Sequence, residues 1–429
     1  MKPSQQGVLP SNPRKGLVSK LTSEFRHFQT YPHGMRVLLI TNLLYSLVLP
    51  VVEMFIGAYI MRNSSDSTLV VCFQLASYTG IPITFLINGF LLRRFRIATL
   101  YSFGMLLSGI SMSIMMTLSD LDTTGVVVAG LVMGLSYGFF WSNRDFLALD
   151  STNDDNRNYY YGLETFFYTI TGVGVPYLIG AFIGATEHNG WFGGEVNMAY
   201  RIITIAVFLI TILASFVIFR GKFQNPENKP FLFFRFERLW NKLLGLAALK
   251  GIAQGYIVTA PAMLIMTLVG NEATLGTVQS VGAILSAILL YILGRVSLPK
   301  DRLPILAVGL VLFALGGFFN AWFYSSVGVV IFMLCLVLSR PLIDIAYFPI
   351  QFRVIDIVSK SEQRSEFTYI LSHEFGLYIG RLFGCGLFLI LANFVSETFA
   401  LRYALLIIGI LQLLAYVIAR NIDRECSRR

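Results

Sequence analysis

The stretch SYGFFWSNRDFLALDSTNDDNRNYYYGLE, residues 136–164, begins inside an apolar run and collects Asn143, Arg144 and Asp145 before that run ends. It then crosses a short acidic loop and re-enters an apolar run at its tyrosines. An ionised side chain in hydrocarbon costs on the order of 3 kcal/mol by insertion scales, so charges placed this way face a protein interior or a water-filled path. The lower part of the stretch is echoed further along. Asp150 is followed by Asp155, Asn156 and Arg157, and Asp356 by Glu362, Gln363 and Arg364, with the two arginines about half the chain apart. A device repeated at that distance divides the chain into two equivalent halves.

Working outward, composition sets the solvent. The chain has 429 residues, 55% of them hydrophobic and 13% charged, with a mean hydropathy of +0.67. A soluble domain carries about 25% charged residues. Apolar runs of about 20 residues, the length that crosses a ~30 Å hydrocarbon core, occur at 35–60, 68–91, 97–118, 124–149, 160–186, 199–220, 243–268, 274–294, 303–323, 326–350, 366–394 and 398–420. The expected fold is therefore an all-α membrane protein with twelve transmembrane helices in two six-helix pseudo-repeats. Its parts are an N-terminal tail (1–34), a first half (35–220), a linker (221–242), a second half (243–420) and a C-terminal tail (421–429).

The net charge of +9 does not point to nucleic acid. Of the 33 Lys and Arg, 26 fall on the two tails, the linker and the alternate loops on the same side, and only Arg62, Arg201 and Arg402 on the other side. Positive charge accumulates on the cytoplasmic side of membrane proteins, so both termini are expected there, in a bacterial cytoplasmic (inner) membrane. The first 34 residues lack the apolar core and cleavage pattern of a signal peptide, so the first span leads insertion. Cys72, Cys335 and Cys385 sit in apolar runs and Cys426 in the tail, which implies no disulfide framework. The linker contains Pro226 and Pro230 followed by FLFFRFERLWNKLL, which reads as an amphipathic helix on the membrane surface.

Helical periodicity groups the polar residues of the spans. Asn42, Tyr45, Ser46 and Glu53 fall within about 80° on the first span, beside the break that Pro50 makes in the backbone ladder. Ser136, Tyr137, Asn143 and Arg144 occupy about 120° of the fourth, with Asp145 pointing elsewhere. Lys250 and Gln254 share a face of the seventh. Arg340, Asp344, Tyr347 and Gln351 share one on the tenth, where Arg340 and Asp344 have ion-pair spacing. On the eleventh, Glu374, Tyr378 and Arg381 line up in a helix with Gly376, Gly380 and Gly384 at close-packing intervals.

Two loops carry a family resemblance. NGFLLRRFRIATL, after the second span, resembles the loop motif Gly-x-x-x-Asp-Arg-x-Gly-Arg of the major facilitator superfamily, with Gly89 and Arg94 in place. Arg93 stands where the family has Asp, and Arg96 where it has the second Gly, so the charge relay of that motif does not transfer. Residues 150–162, DSTNDDNRNYYYG, resemble the superfamily's loop between spans four and five. The longer string GFFWSNRDFLALDSTNDDNRNYYYGLE is similar to a bacterial branch of YqgE-like transporters. The resemblance implies that spans one, four, seven and ten line a central cavity while two, five, eight and eleven flank it.

The expected substrate-binding residues are thus Asn42, Tyr45, Glu53, Tyr137, Asn143, Arg144, Lys250, Gln254, Arg340, Tyr347, Tyr378 and Arg381. Glu53, Asp344 and Glu374 are the candidates for taking up a proton, and Asp145, Asp150, Arg157, Asp356 and Arg364 for a gate at the cytoplasmic edge. Arg381 with Glu374, like Arg340 with Asp344, reads equally as a structural pair.

Other chemistry has no motif to rest on. There is no Gly-x-x-x-x-Gly-Lys-Ser/Thr phosphate loop, His373-Glu374 lacks the second histidine of a zinc-protease motif, and Gly172-x-Gly174 runs into Val175-Pro176 instead of a dinucleotide turn. No enzymatic activity, cofactor or metal is expected. The expectation is a monomeric secondary transporter of a small organic anion or zwitterion, proton-coupled and working by alternating access. A proton-coupled efflux pump for lipophilic or cationic compounds, or a non-transporting receptor of the same fold, stands as the alternative.

Overall fold

The computed structural model describes residues 25–118, 120–152, 156–225, 232–364 and 366–428. Twelve helices among them are long and apolar enough to cross a membrane: α1 His33–Ser64, α2 Ser67–Leu91, α3 Ile97–Thr117, α4 Thr123–Ala148, α5 Tyr159–Asn189, α6 Val196–Gly221, α7 Arg238–Leu268, α8 Glu272–Leu293, α9 Arg302–Phe323, α10 Ser326–Glu362, α11 Thr368–Phe394 and α12 Glu397–Cys426. Helices satisfy every backbone group internally, which is what hydrocarbon demands. They form two halves, α1–α6 and α7–α12. The loops after the even-numbered helices and both chain ends lie at one end of the bundle, the basic end, and the loops after the odd-numbered helices at the opposite end. Four helices that start at the opposite end are capped there. Asp66, Asp122, Asn271 and Ser396 each accept a backbone N–H from the first turn they precede.

Small residues set the helix spacing. A Cβ on Gly380 would lie 1.9 Å from the Ala248 carbonyl oxygen, and one on Gly384 2.2 Å from that of Ile252, so α11 rests directly on α7. Gly180 on α5 meets α8 in the same way, its Cβ position 2.7 Å from the Glu272 carbonyl oxygen and 3.2 Å from Gly276 Cα, and this contact joins the two halves.

One expected element is corrected. Residues 232–237 are not helical, and the helix that begins at Arg238 is the start of α7 itself. Leu239, Trp240 and Leu243 are fully buried in a second-half core instead of lying in the interface. The Trp240 indole donates to Ser372 Oγ at 2.9 Å and meets the Tyr369 ring edge-on at 4.9 Å. A buried indole N–H finds a partner, and here the partner is on α11. Pro226 and Pro230 lie outside the described residues.

Both first helices of the halves are broken. Pro50 has no N–H to give, and Val51 N and Val52 N both turn to the Val48 carbonyl, at 3.0 and 3.2 Å. The chain passes through a π-helical turn, Val51–Phe55, before resuming as Ile56–Ser64. α7 halts at Ile257 and resumes as Ala260–Leu268, with Pro261 in its first turn. The two outer segments pack together, Gly57 against Ala262.

At the opposite end the halves are bolted by charge. Arg62 on α1 grips Glu272 on α8 through two bonds, Nε–Oε1 at 2.5 Å and Nη2–Oε2 at 2.7 Å, and reaches Glu187 on α5 at 3.2 Å. The Glu272 side chain is 0% exposed, and its Oε1 also accepts the Tyr200 hydroxyl at 3.1 Å. Ser67 N donates to Glu397 at 2.8 Å. Toward mid-bundle the halves meet through Ser280 with the Val173 carbonyl, Tyr78 with that of Gln254, and Thr79 with Tyr378. Among the described residues no hydrogen bond or ion pair joins the halves nearer the basic end.

Two outcomes follow. Gly380→Val should destabilise the protein by about 3 kcal/mol or prevent folding, because overpacking a tight contact costs about 1–3 kcal/mol and this one abuts backbone. Gly386→Val, with nothing within 4 Å of its Cβ position, should unfold within a degree or so of wild type in the same detergent melt. Arg62→Ala, which strands the buried Glu272, should open the opposite end. In a cysteine-free background, Ala262→Cys should then react several-fold faster with a membrane-impermeant maleimide, and adding Glu272→Gln, which removes the stranded charge, should restore part of the protection.

Candidate substrate site

The mid-bundle charges sit on α1, α7 and α10, with Tyr78 of α2 and Arg381 of α11 beside them. Glu53 sits in the π-helical turn of α1. Its neighbours Val51, Val52, Met54 and Phe55 are buried, and Glu53 itself is exposed at mid-bundle. On the other half, Arg340 on α10 is also exposed and is the cation whose field reaches Glu53. Neither side chain has a hydrogen-bond or ion-pair partner among the described residues.

The other mid-bundle charges of the second half are engaged. Lys250 Nζ lies 2.8 Å from Asp344 Oδ1 and stands over the rings of Tyr347 and Phe348, at 4.0 and 4.2 Å from their centroids. The expected Arg340–Asp344 pair is thus replaced by a bond between helices, because Lys250 approaches the carboxylate from α7. Tyr347 is held in turn by His373, its hydroxyl 2.6 Å from Nε2. Arg381 donates Nε and Nη2 to the Gln254 side-chain oxygen at 3.1 and 2.9 Å and faces the Tyr78 ring at 4.8 Å. Glu374 is a more distant partner at 3.5 Å. Tyr378 reaches Thr79 across the junction of the halves at 3.3 Å.

Several first-half residues expected in the cavity are packed inside their own half. Asn42 donates to Tyr160 at 3.0 Å and Glu164 at 2.6 Å and accepts from Tyr101 at 2.5 Å. Tyr45 is fully buried beside Ser136, and Asn143 exchanges two bonds with Asn88 at 3.0 and 2.9 Å. Arg144 forms a forked pair with Glu164, whose side chain is 2% exposed, and also binds Asp145 at 2.7 Å. The stripe on α1 dissolves because the π-helical turn changes the helical phase between Ser46 and Glu53. Tyr137 is half-buried against the main apolar core.

The expected gate at the basic end has a different arrangement. Arg364 pairs with Glu362 at 3.0 Å, donates to the Arg235 carbonyl at 2.7 Å and stacks on Phe233 at 4.3 Å, all within the second half and the linker that leads into it. Asp150 and Asp356 are exposed, and the Arg157 side chain lies outside the described residues. Arg144 is committed to Glu164 and Asp145 on its own side. The charged contact that does join the halves is Arg62 with Glu272, which sequence reading passed over. Arg62 is one of three basic residues on the sparse side, which is the signal the sequence carries for it.

Among the described residues no three His, Cys, Asp or Glu side chains are grouped to hold a metal ion. The arrangement that remains is one exposed carboxylate, Glu53, and one exposed guanidinium, Arg340, from opposite halves and without partners among the described residues.

The chain is similar over most of its length to known membrane proteins. It is 24% identical to YqgE of Bacillus subtilis (strain 168) over 394 residues, covering 91% of this chain and 90% of that one. A bacterial homologue of the iron transporter ferroportin, in an inward-facing state, superposes with a TM-score of 0.63 at 16% identity, over 91% of this chain and 98% of the other. A peptide transporter POT does so with a TM-score of 0.65 at 13% identity, over 96% and 97%. At these identities the likeness is one of fold. The family profile of the Major Facilitator Superfamily matches residues 37–384, and the chain belongs to that superfamily.

Proposed function

We propose that this protein is a secondary transporter that carries a small organic zwitterion or anion by alternating access, with the proton as coupling ion. The observation that carries the reading is the pair Glu53 and Arg340, unpaired, exposed and contributed by different halves. A guanidinium binds a carboxylate through two parallel bonds, and a carboxylate opposite it suits an ammonium. A zwitterion between them would neutralise both groups, and only then would closing the cavity cease to strand two charges away from water. A proton on Glu53, Asp344 or Glu374 would remove a negative charge to the same end. The basic end is taken as cytoplasmic by the positive-inside rule, which makes this an inward-open form with both termini in the cytoplasm. Positive charge at Arg340, Arg381 and Lys250 favours a substrate bearing a carboxylate over a purely cationic one.

Purified protein melted against a panel of amino acids, short peptides, organic acids and lipophilic cations identifies the ligand, since whatever binds the folded state raises its stability. For that ligand, Arg340→Ala and Glu53→Gln should each weaken binding by roughly thirtyfold or more, the effect of the ~2 kcal/mol lost when one partner of a buried charge contact is removed. In proteoliposomes loaded with a pH dye, its uptake should move protons, and uptake without proton movement would refute the coupling. Transport that survives Arg340→Ala and fails in Glu53→Gln would instead assign a cationic substrate.

A further inference from the structure

The Lys250 ammonium occupies a site with the chemistry of a cation receptor. One carboxylate, Asp344, lies at 2.8 Å, and two aromatic faces, Tyr347 and Phe348, stand at 4.0 and 4.2 Å. A carboxylate with converging ring faces is how proteins recognise alkylammonium ions. The Tyr347 ring is preset, since it is 2% exposed and anchored through its hydroxyl to His373. The other walls are partly exposed. The Asp344 side chain is 42% exposed and Phe348 43%, whereas the Lys250 side chain is 12% exposed. A pair serving only to pack α7 on α10 would have no reason to keep its carboxylate and one ring exposed while the cation is enclosed. Arg340 and Arg381 both set positive charge against Lys250, and the other carboxylate near the site, Glu374, is paired with Arg381 at 3.5 Å. An ammonium held in that field is bound by the site and not by general negative potential.

We propose that Asp344, Tyr347 and Phe348 form a binding site for a small primary alkylammonium, and that Lys250 fills it as a tethered ligand in place of a free cation. A tether supplies its ligand at a high effective concentration, so the wild-type site is closed to dilute competitors. Shortening Lys250 empties the site while leaving its three walls.

The test is chemical rescue read by thermal unfolding of the purified full-length protein at constant ionic strength, which does not depend on any transported substrate. Lys250→Ala should melt below wild type, and ethyl- or propylammonium should raise its unfolding temperature saturably by roughly 1–3 °C, in proportion to ligand occupancy. Wild type, and the double variant Lys250→Ala with Asp344→Asn, should not respond. Phe348→Ala in the Lys250→Ala background should weaken the response several-fold. Should Lys250→Ala not fold, Lys250→Gln carries the same comparison. Equal shifts in all variants, no shift in either Lys250 variant, or a shift with sodium as large as that with ethylammonium would each overturn the site.

Discussion

A charge inside a membrane protein has two places to be: against an opposite charge, or in water. Each buried carboxylate here obeys that rule. Glu164 is enclosed with Arg144, Asn42 and Tyr160, and Glu272 with Arg62 and Tyr200. Removing one partner from such a pair costs about 3–5 kcal/mol, which is why these groups act as fixed joints. Glu53 and Arg340 take the other option and face open space. The rule therefore separates the joints of the two halves from the groups free to meet a solute, and does so without reference to any relative.

The same rule makes the two ends of the bundle unequal. At the opposite end a three-residue cluster, Arg62 with Glu187 and Glu272, fastens α1 to α5 and α8. Close approach at Gly180 and Gly276 continues the seam inward. Toward the basic end, Arg364 and Arg144 spend their donors on their own halves. Breaks in α1 and α7 separate an outer segment of each, Ile56–Ser64 and Ala260–Leu268, from the part that flanks the cavity. Such interruptions in equivalent helices of the two repeats are where transporters place their sites. In this chain the break in α1 is what turns Glu53 away from its buried neighbours.

The architecture was legible in the sequence because it rests on terms that sum along the chain. Twelve apolar runs, a lopsided distribution of Lys and Arg and a repeated acidic-to-Arg device need no knowledge of neighbours. The site was legible only in part. Periodicity tells which residues share a face of one helix and is silent on which helix that face meets. Asp344 was assigned to Arg340, four residues away on the same helix, and is bound by Lys250 from α7. The α1 stripe failed for a second reason, since 100° per residue does not hold across a π-helical turn, and Asn42 and Tyr45 end up packed while Glu53 does not. FLFFRFERLW has the composition of an interfacial helix, yet Trp240 found Ser372 and Tyr369. Arg62 and Glu272 lie at span ends, where charge is the default and nothing local marks a pair.

Opening the opposite end would require more than separating Arg62 from Glu272. Glu272 is enclosed by Tyr200 as well, so the carboxylate must gain water as the guanidinium leaves, and the Gly180–Gly276 contact must part in the same motion. Closing the basic end imposes the reverse demand on Glu53 and Arg340, which must lose water and so must first be neutralised. The two requirements are complementary. On the proposed reading, a solute or proton that neutralised Glu53 and Arg340 would lower the cost of closing one end, and the hydration gained by Glu272 would offset the loss of its pairing at the other. On the alternating-access reading proposed above, coupling between the ends would need no relay of contacts through the bundle, because the desolvation of charge at one end would be traded against its exposure at the other.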